Sequence, residues 1–282
     1  MIEIITDSTC DLPEPLISQY NIQVIPHTII WGNEQYRDRI DIQPEEFYRR
    51  LVADRIRPTT AQASVNDFSL AYQAAVNRGA TEIIALTVSS AMSGAYQSAL
   101  KASEMVNIPV SVVDSKGPTM TLGWQVLAAA RAVETGANTA AVLEKVAQVR
   151  SKMIQLVSLD TLEYLTKGGR IGNAIKWVSG LLQVKPLVSI NHQTGLVDPV
   201  TLARTHNSII TAMYNRFVAA LQNHKKLHVA VLHGNIPAEA EVLKERILAD
   251  LDPIEVLVNI TGPVLGINTG PGAMALCGYA EE

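Results

Sequence analysis

The sequence predicts an α/β protein in two parts: a parallel-sheet N-terminal domain followed by an α+β C-terminal domain. The length of 282 residues favours two domains over one. Hydrophobic residues make up 48% of the chain and charged residues 18%, which is typical of a packed core and not of disorder. Short β-rich runs alternate with longer helical runs through residues 1–150, which indicates parallel strands joined by helical crossovers.

Residues 1–150 form the first predicted domain. Glu82–Val88 is a nearly continuous apolar run, as expected of a strand buried on both faces. Pro44 suits the first position of a helix, and Gly79 suits the end of one. The predicted strands are Ile2–Thr6, Val24–Trp31, Glu82–Val88 and Val110–Val113. The predicted helices are Pro13–Tyr20, Pro44–Asp54, Asp67–Arg78, Gly94–Val106, Thr119–Thr135 and Thr139–Lys152.

Residues 151–282 form the second predicted domain, where the alternation of strands and helices becomes irregular. Two β-rich runs flank the turn 191–195, which is typical of a hairpin. The predicted strands are Met153–Val157, Leu187–Ile190, Leu196–Val200, His228–His233, Ile254–Ile260 and Met274–Tyr279. The predicted helices are Leu159–Leu165, Ala174–Leu182, Thr205–Asn223 and Ala238–Leu251. The glycine-rich stretch 261–272 carries Asn268, and we expect a tight turn there.

Composition and missing motifs exclude several classes of function. The net charge of −4 disfavours a duplex-binding protein, so we expect no nucleic-acid partner. No apolar run is long enough to cross a bilayer and no signal sequence precedes the first strand, so we expect a cytoplasmic protein without stable membrane insertion. The sequence contains no G-x-x-x-x-G-K-[ST] loop, no G-x-S-x-G turn and no credible metal pair. We therefore expect no cofactor, no metal and no catalytic residue.

Hydroxyl-rich turns recur near the predicted strand ends. The turns are 6–9, 59–64, 89–94 and 114–116, and three of them directly follow predicted strands. Ligands of open parallel sheets bind outside the carboxyl ends of the strands. Hydroxyls and backbone N–H groups at helix starts are hydrogen-bond donors. The turns therefore predict a crevice that suits an anion such as a carboxylate or a phosphate.

Each of these residues also has a purely structural interpretation. Ser93 precedes a predicted helix and could be its N-cap. Thr60 could be an ordinary turn hydroxyl, and Asn268 could serve the glycine turn alone. The functional interpretation is stronger for the set than for any single residue, because the turns all lie near the ends of predicted strands.

The ordered motifs of the chain resemble those of the DegV family. The matching segments are Thr6-Asp7-Ser8-Thr9-Cys10-Asp11-Leu12-Pro13, Ser89-Ser90-Ala91-Met92-Ser93-Gly94-Ala95-Tyr96-Gln97-Ser98-Ala99, Val113-Asp114-Ser115-Lys116, Tyr164-Leu165-Thr166-Lys167-Gly168-Gly169-Arg170-Ile171, Lys185-Pro186 and Thr269-Gly270-Pro271-Gly272-Ala273. The resemblance runs from one terminus to the other. It implies two domains with a ligand tunnel between them, in which a long-chain fatty acid lies with its carboxylate held by hydroxyls.

The resemblance also implies site residues and a partner. It assigns ligand binding to Thr60, Gln62, Ser64, Ser93 and Asn268. The family's Thr-Ser-Gln-Pro-Ser turn is Thr-Ala-Gln-Ala-Ser here, and asparagine stands at 268 where the family carries histidine. Because asparagine cannot ionise, we expect binding that is nearly independent of pH between about 6 and 8. The implied partner is a fatty acid kinase, which would convert the presented acid to an acyl phosphate.

Arg170 and Arg204 are the predicted partner contacts. Arg170 lies in a glycine loop and Arg204 lies between a predicted strand and a long helix. Either arginine could instead be an ordinary solvated side chain. Two other functions stay open: a small-molecule phosphotransferase related to dihydroxyacetone kinase, and a lipid-linked regulator without a kinase.

Overall fold

The computed structural model of the chain describes residues 1–177 and 184–281. The strands are β1 (Ile2–Asp7), β2 (Gln23–Ile25), β3 (Thr28–Trp31), β4 (Glu34–Arg37), β5 (Thr59–Ala61), β6 (Glu82–Thr87), β7 (Val110–Asp114), β8 (Ile154–Ser158), β9 (Lys185–Ile190), β10 (Val197–Ala203), β11 (Leu227–His233), β12 (Glu255–Ile260) and β13 (Met274–Ala280). The α-helices are α1 (Glu14–Gln19), α2 (Pro44–Ala53), α3 (Val65–Asn77), α4 (Ala95–Ser103), α5 (Met120–Glu134), α6 (Thr139–Ser151), α7 (Glu163–Gly168), α8 (His206–Leu221), α9 (Pro237–Leu251) and α10 (Pro263–Thr269).

A four-stranded parallel sheet, ordered β2-β1-β6-β7, forms the centre of the N-terminal region. Its inner strand β6 is buried over five of its six residues, as the continuous apolar run predicts. Helices α3 and α4 pack on one face with Phe68 and Tyr72 in their core. The carboxyl ends of all four strands meet at one edge of this sheet.

A small antiparallel sheet, ordered β4-β3-β5, lies beside the parallel sheet. The prediction of a single strand over Val24–Trp31 is wrong. The run divides at Pro26-His27 into β2 of the parallel sheet and β3 of the small sheet. Proline cannot donate to a strand ladder, which is the physical reason for a break there.

A six-stranded mixed sheet, ordered β10-β9-β8-β13-β11-β12, forms the C-terminal region. Its pairs are antiparallel except for the parallel pair β11 and β12. The predicted hairpin exists as β9 and β10. The described strands before residue 150 belong to the first two sheets and those after it to the third. We propose the same division, 1–150 and 151–282, as the domain boundary.

Helix α5 joins the two regions. Eleven consecutive residues from Met120 to Ala130 are buried, so the helix is covered on all sides over that length. A helix that is apolar around its whole circumference is typical of a core position. One apolar cluster includes Ile84 of the parallel sheet, Trp124 of α5 and Cys277 of the mixed sheet. The predicted fold class, a parallel-sheet region followed by a mixed-sheet region, is thus confirmed.

The glycine-rich stretch 261–272, for which a tight turn is predicted, contains a helix, α10. The predicted helix Ala174–Leu182 begins inside a 3₁₀ segment, Gly172–Trp177, and its remainder lies outside the described residues. In the described part of the chain, no helix is both long and apolar enough to span a membrane.

A candidate ligand cavity between the sheets

A cavity of about 390 Å³ lies between the carboxyl edge of the parallel sheet and one face of the mixed sheet. Helices α7 and α10 and strand β5 also contribute to its wall. Most of the wall is apolar, with side chains that include Val157, Leu159, Val188, Ile190, Leu232 and Ala275. A site of this size is within the usual range for small-molecule ligands, roughly 300–1,000 Å³.

The ionisable side chains among the described lining residues are Arg170 and His27, and both can carry a positive charge. The polar remainder consists of hydroxyls and amides. Among the lining residues that the structure describes there is no carboxylate. The cavity therefore suits an elongated apolar ligand with a neutral or negatively charged polar group.

Thr60 and Gln62 lie on and just after β5. The hydroxyl of Thr60 lines the cavity and makes no hydrogen bond to the described part of the chain. Gln62 also lines the cavity, but its amide oxygen accepts a 2.7 Å hydrogen bond from the Gly94 backbone N–H. Its amide nitrogen donates to Ser98 Oγ at 3.3 Å. Gln62 thereby connects β5 to the start of α4.

Ser93 lies in the turn between β6 and α4 and lines the cavity. The structural interpretation of Ser93 as an N-cap does not hold, because the cap position is Gly94. Ser93 Oγ instead accepts a 3.2 Å hydrogen bond from Ala95 N–H. Since that bond uses a lone pair, the hydroxyl proton remains available for a ligand acceptor.

Asn268 lies in the last turn of α10 and is half-buried in the cavity wall. Its amide nitrogen donates to Val264 O at 3.0 Å, which uses one of its two N–H groups. Its amide oxygen packs so closely on Gly168 that a side chain at that position would collide with it. Asn268 therefore retains one N–H that could donate to a ligand.

The start of α10 is held by the N-terminal region. Asp11 Oδ1 accepts hydrogen bonds from Gly262 N–H at 2.9 Å and from Arg39 at 2.6 Å. Asn259 donates to Asp11 O at 2.7 Å. These bonds position the helix that carries Asn268 against β3 and β5.

Arg170 lines the cavity beside two of the predicted site residues. Its Nε donates to Met92 O at 3.1 Å and its Nη1 donates to Gly168 O at 2.6 Å. Met92 precedes Ser93, and Gly168 packs on Asn268. Thr60, Ser93 and Asn268 thus line one cavity, and the exposed Arg170 lies next to the segments that carry Ser93 and Asn268.

Two residues from the sequence analysis lie elsewhere. Ser64 is exposed and is not part of the described cavity wall. It is the N-cap of α3: its hydroxyl accepts from Asp67 N–H and donates to the Asp67 carboxylate, which also accepts from Ser64 N–H, so the two residues form a capping box. Arg204 is exposed in the bend between β10 and α8 and is likewise outside the described wall.

Thr9 of the hydroxyl turn 6–9 also lines the cavity, and the wall contains further polar residues that the sequence did not reveal: His27, Thr119 and Gln155. His27 follows the end of β2 by two residues, close to the strand-end position of the hydroxyl turns. The signal that could have revealed it was Pro26, which interrupts the run that had been treated as one strand.

Burial and the neighbouring charges have opposite effects on the pKa values of His27 and Asp7. Its Nε2 lies 3.6 Å from Asp7 Oδ1, and both side chains are almost fully buried. Burial alone would lower the pKa of His27, but the negative charge of Asp7, aided by Asp38 and Asp67, raises it overall. Burial alone would raise the pKa of Asp7, but His27 and hydrogen bonds from Thr9 and Val88 lower it overall.

Fold and cavity define an α/β protein in which a parallel sheet and a mixed sheet enclose a ligand-sized space. Over residues 1–281 the chain matches the family model described as "Uncharacterised protein, DegV family". The chain belongs to the DegV family, as its ordered motifs predict.

Solved and curated relatives cover nearly the whole chain. A Thermus thermophilus DegV family protein, described by its fatty acid binding, has a TM-score of 0.93, 31% identity and 99% coverage of both chains. A stearic acid-binding protein from Eubacterium ventriosum has a TM-score of 0.91 and 25% identity, covering 99% of this chain and 98% of its own. A DegV domain-containing protein of Staphylococcus aureus is 31% identical over 273 residues, which is 97% of this chain and 96% of the relative.

Proposed function

We propose that this protein binds a long-chain fatty acid in the cavity and holds the carboxylate with Thr60, Ser93 and Asn268. The observation that carries the proposal is the composition of the wall: it is apolar over most of its surface and includes hydroxyl and amide donors that the protein itself leaves unused. The fatty acid binding described for the Thermus thermophilus and Eubacterium ventriosum relatives supports it.

The energetics of such a ligand require both parts of the site. At about 0.8 kcal/mol per buried CH₂, roughly fifteen methylenes contribute about 12 kcal/mol before costs. Association itself costs about 4–15 kcal/mol, so burial of the tail alone supports modest affinity. Each hydrogen bond to the carboxylate adds about 1.5–3 kcal/mol. The donors therefore decide whether the acid binds tightly and in one orientation.

A comparison of acid and ester tests the carboxylate site. Native mass spectrometry of freshly purified protein should detect a co-purified long-chain acid. After delipidation, the protein should bind hexadecanoic acid with micromolar or tighter affinity and its methyl ester at least tenfold more weakly. Equal affinity for acid and ester would contradict the proposal.

We further propose that the protein is a non-catalytic carrier that presents the acid to a fatty acid kinase through Arg170 and Arg204. Both arginines are exposed, and Arg170 borders the end of the cavity where the carboxylate would lie. An exposed guanidinium suits an acidic or phosphorylated partner surface.

Arg204 gives the cleaner test of the partner surface, because it lies outside the described cavity wall whereas Arg170 lines it. Arg204→Glu should lower acyl phosphate formation by an added kinase and leave fatty-acid affinity unchanged. Arg216→Glu, at an exposed arginine of α8, makes the same charge change and should leave both unaffected. Equal activity of the two variants with the kinase would exclude Arg204 from the interface.

The two other functions make different predictions. A phosphotransferase would bind nucleotide directly, which the same mass spectra would detect with added nucleotide. A regulator without a kinase would retain fatty acid but yield no acyl phosphate with any kinase of its own genome.

A further inference from the structure

His27 combines deep burial, access to the cavity and an incomplete set of hydrogen bonds. Its side chain is only 3% exposed, yet it forms part of the cavity wall. Within the described part of the chain, Nε2 is buried without a hydrogen-bond partner. The 3.6 Å separation from Asp7 Oδ1 is an ion-pair distance, longer than a hydrogen bond. A buried polar group of this kind is costly unless a further partner completes it.

His27 lies close to the strand pair that carries Thr60. It directly precedes β3, whose Ile29 pairs with Thr60 and whose Thr28 pairs with Ala61 in the antiparallel ladder of β3 and β5. The cavity wall contains the side chains of His27 and Thr60, together with Asn268 of α10, which packs on these strands.

The charges around His27 favour an imidazolium. Asp7 of β1 is the nearest, and Asp38 and Asp67 act from the segments that follow β4 and begin α3. Arg170 is the other cation of the described wall, and it is exposed. Both Asp7 oxygens accept hydrogen bonds from other groups, Oδ1 from Thr9 and Oδ2 from Val88 N–H. An imidazolium has two N–H donors: Nε2 faces Asp7 as an ion pair, and Nδ1, which makes no hydrogen bond within the described part of the chain, remains for a ligand.

We propose that His27, as an imidazolium held against Asp7, donates a hydrogen bond to the carboxylate of the bound fatty acid. The inference rests on the proposed function and adds to it a buried cation that recognises the charged form of the acid. Asn268 alone predicts no pH dependence of binding, whereas His27 predicts one. The affinity for the acid should fall as the pH rises and His27 loses its proton.

Equilibrium binding of hexadecanoic acid to delipidated protein between pH 5.5 and 9 tests the proposal. The wild type should lose about tenfold or more in affinity across the range, the value of a hydrogen bond to a charged group. His27→Gln keeps a neutral donor that cannot titrate, so its profile should be flat. Hexadecanol, which has no carboxylate, should bind both proteins without a pH dependence.

His192→Gln is the matched control, because His192 is half-buried and lies outside the described cavity wall. It should retain the slope of the wild type. An equal slope in wild type and His27→Gln, or a flat wild type, would overturn the role of His27 and leave fatty-acid binding intact. Failure of the wild type to bind the acid at any pH would instead overturn the proposed function.

If His27→Gln does not fold, a measurement on the wild type alone still tests the proposal. By linkage, a tenfold tighter affinity for the acid with His27 protonated raises the His27 pKa by about one when the acid binds. NMR titration of the imidazole with and without hexadecanoic acid measures this change. Hexadecanol should leave the pKa unchanged, and an unchanged pKa with the acid would contradict the proposal.

Discussion

Gln62 Oε1 accepts a 2.7 Å hydrogen bond from Gly94 N–H, and this bond ties the strand of Thr60 to the turn of Ser93. A side chain at Gly94 would collide with Gln62, so the two chain segments are in close contact. The relative position of the two carboxylate donors therefore depends on an amide whose own oxygen is already satisfied.

The first prediction is that Gln62→Ala weakens hexadecanoic acid binding about three- to tenfold and lowers the free energy of unfolding by about 1 kcal/mol, the value of a hydrogen bond. Binding isotherms and urea denaturation measure the two effects. Gln73→Ala removes an exposed glutamine of α3 that donates to Asn77, and it should leave affinity unchanged. Equal affinities of the two variants would show that Gln62 does not position the site.

The second prediction concerns the two hydroxyls. Thr60→Val and Ser93→Ala should each weaken acid binding by about 1.5–3 kcal/mol, because each removes a donor to a charged group. Thr59→Val is the control for Thr60, since Thr59 is exposed on the opposite face of β5. If Ser93 only supported Ala95 N–H, Ser93→Ala would cost about 1 kcal/mol of stability and leave affinity alone. Melting and binding of the same variant distinguish these roles.

The third prediction is a loss of stability as Asp38 ionises. Burial raises the pKa of Asp38 to about 6, well above its ordinary value of 3.8. Between these values the folded state holds a proton that the unfolded state has released, so the free energy of unfolding falls as the pH rises. The fall due to Asp38 should reach about 2–3 kcal/mol by pH 7, and Asp38→Asn should abolish it.

Denaturation of both proteins at pH 4 and pH 7 measures this difference. Asp41→Asn is the control, because hydrogen bonds from Arg37 lower the pKa of Asp41 to about 2 at the surface. Removing Asp41 should not abolish the fall between these pH values. Parallel stability curves for wild type and Asp38→Asn would disprove the assignment.

The fourth prediction concerns the contact between the two regions at Gly195. Ser89 Oγ donates to Gly195 O at 2.9 Å, and a Cβ at Gly195 would collide with that hydroxyl. Gly195 also has a positive φ of 76°. Gly195→Ala should therefore lower the free energy of unfolding by about 2 kcal/mol or more, from backbone strain and a steric clash together.

Gly136→Ala isolates the backbone contribution. Gly136 has a similar φ of 85°, but a Cβ there would meet nothing within 4 Å. Its substitution should cost about 1 kcal/mol. Equal losses in the two variants would show that the contact with Ser89 adds nothing.

Local patterns sufficed for the fold class and for the strand-end position of the site. A parallel strand covered on both faces needs a continuous apolar run, which β6 has. Ligands of such sheets bind at the carboxyl ends of the strands, where the turn of Ser93 lies. The motifs also identified the family. Thr60, Ser93 and Asn268 were all named in advance, and all three line the same cavity.

Long-range packing decided the remainder. Helix α10 has weak intrinsic helix propensity because it combines Gly266 with β-branched residues and Asn268, but Gly266 allows close packing on Phe47 and Tyr48, which a larger residue would prevent. The bonds to Asp11 then hold its first turn. His27 became part of the cavity only because β2 and β3 pair with different sheets, a choice made by partners distant in sequence. Pro26 marks the break between the two strands locally, but the charge of Asp7 that favours the His27 imidazolium comes from β1, a partner that the local sequence around His27 does not reveal.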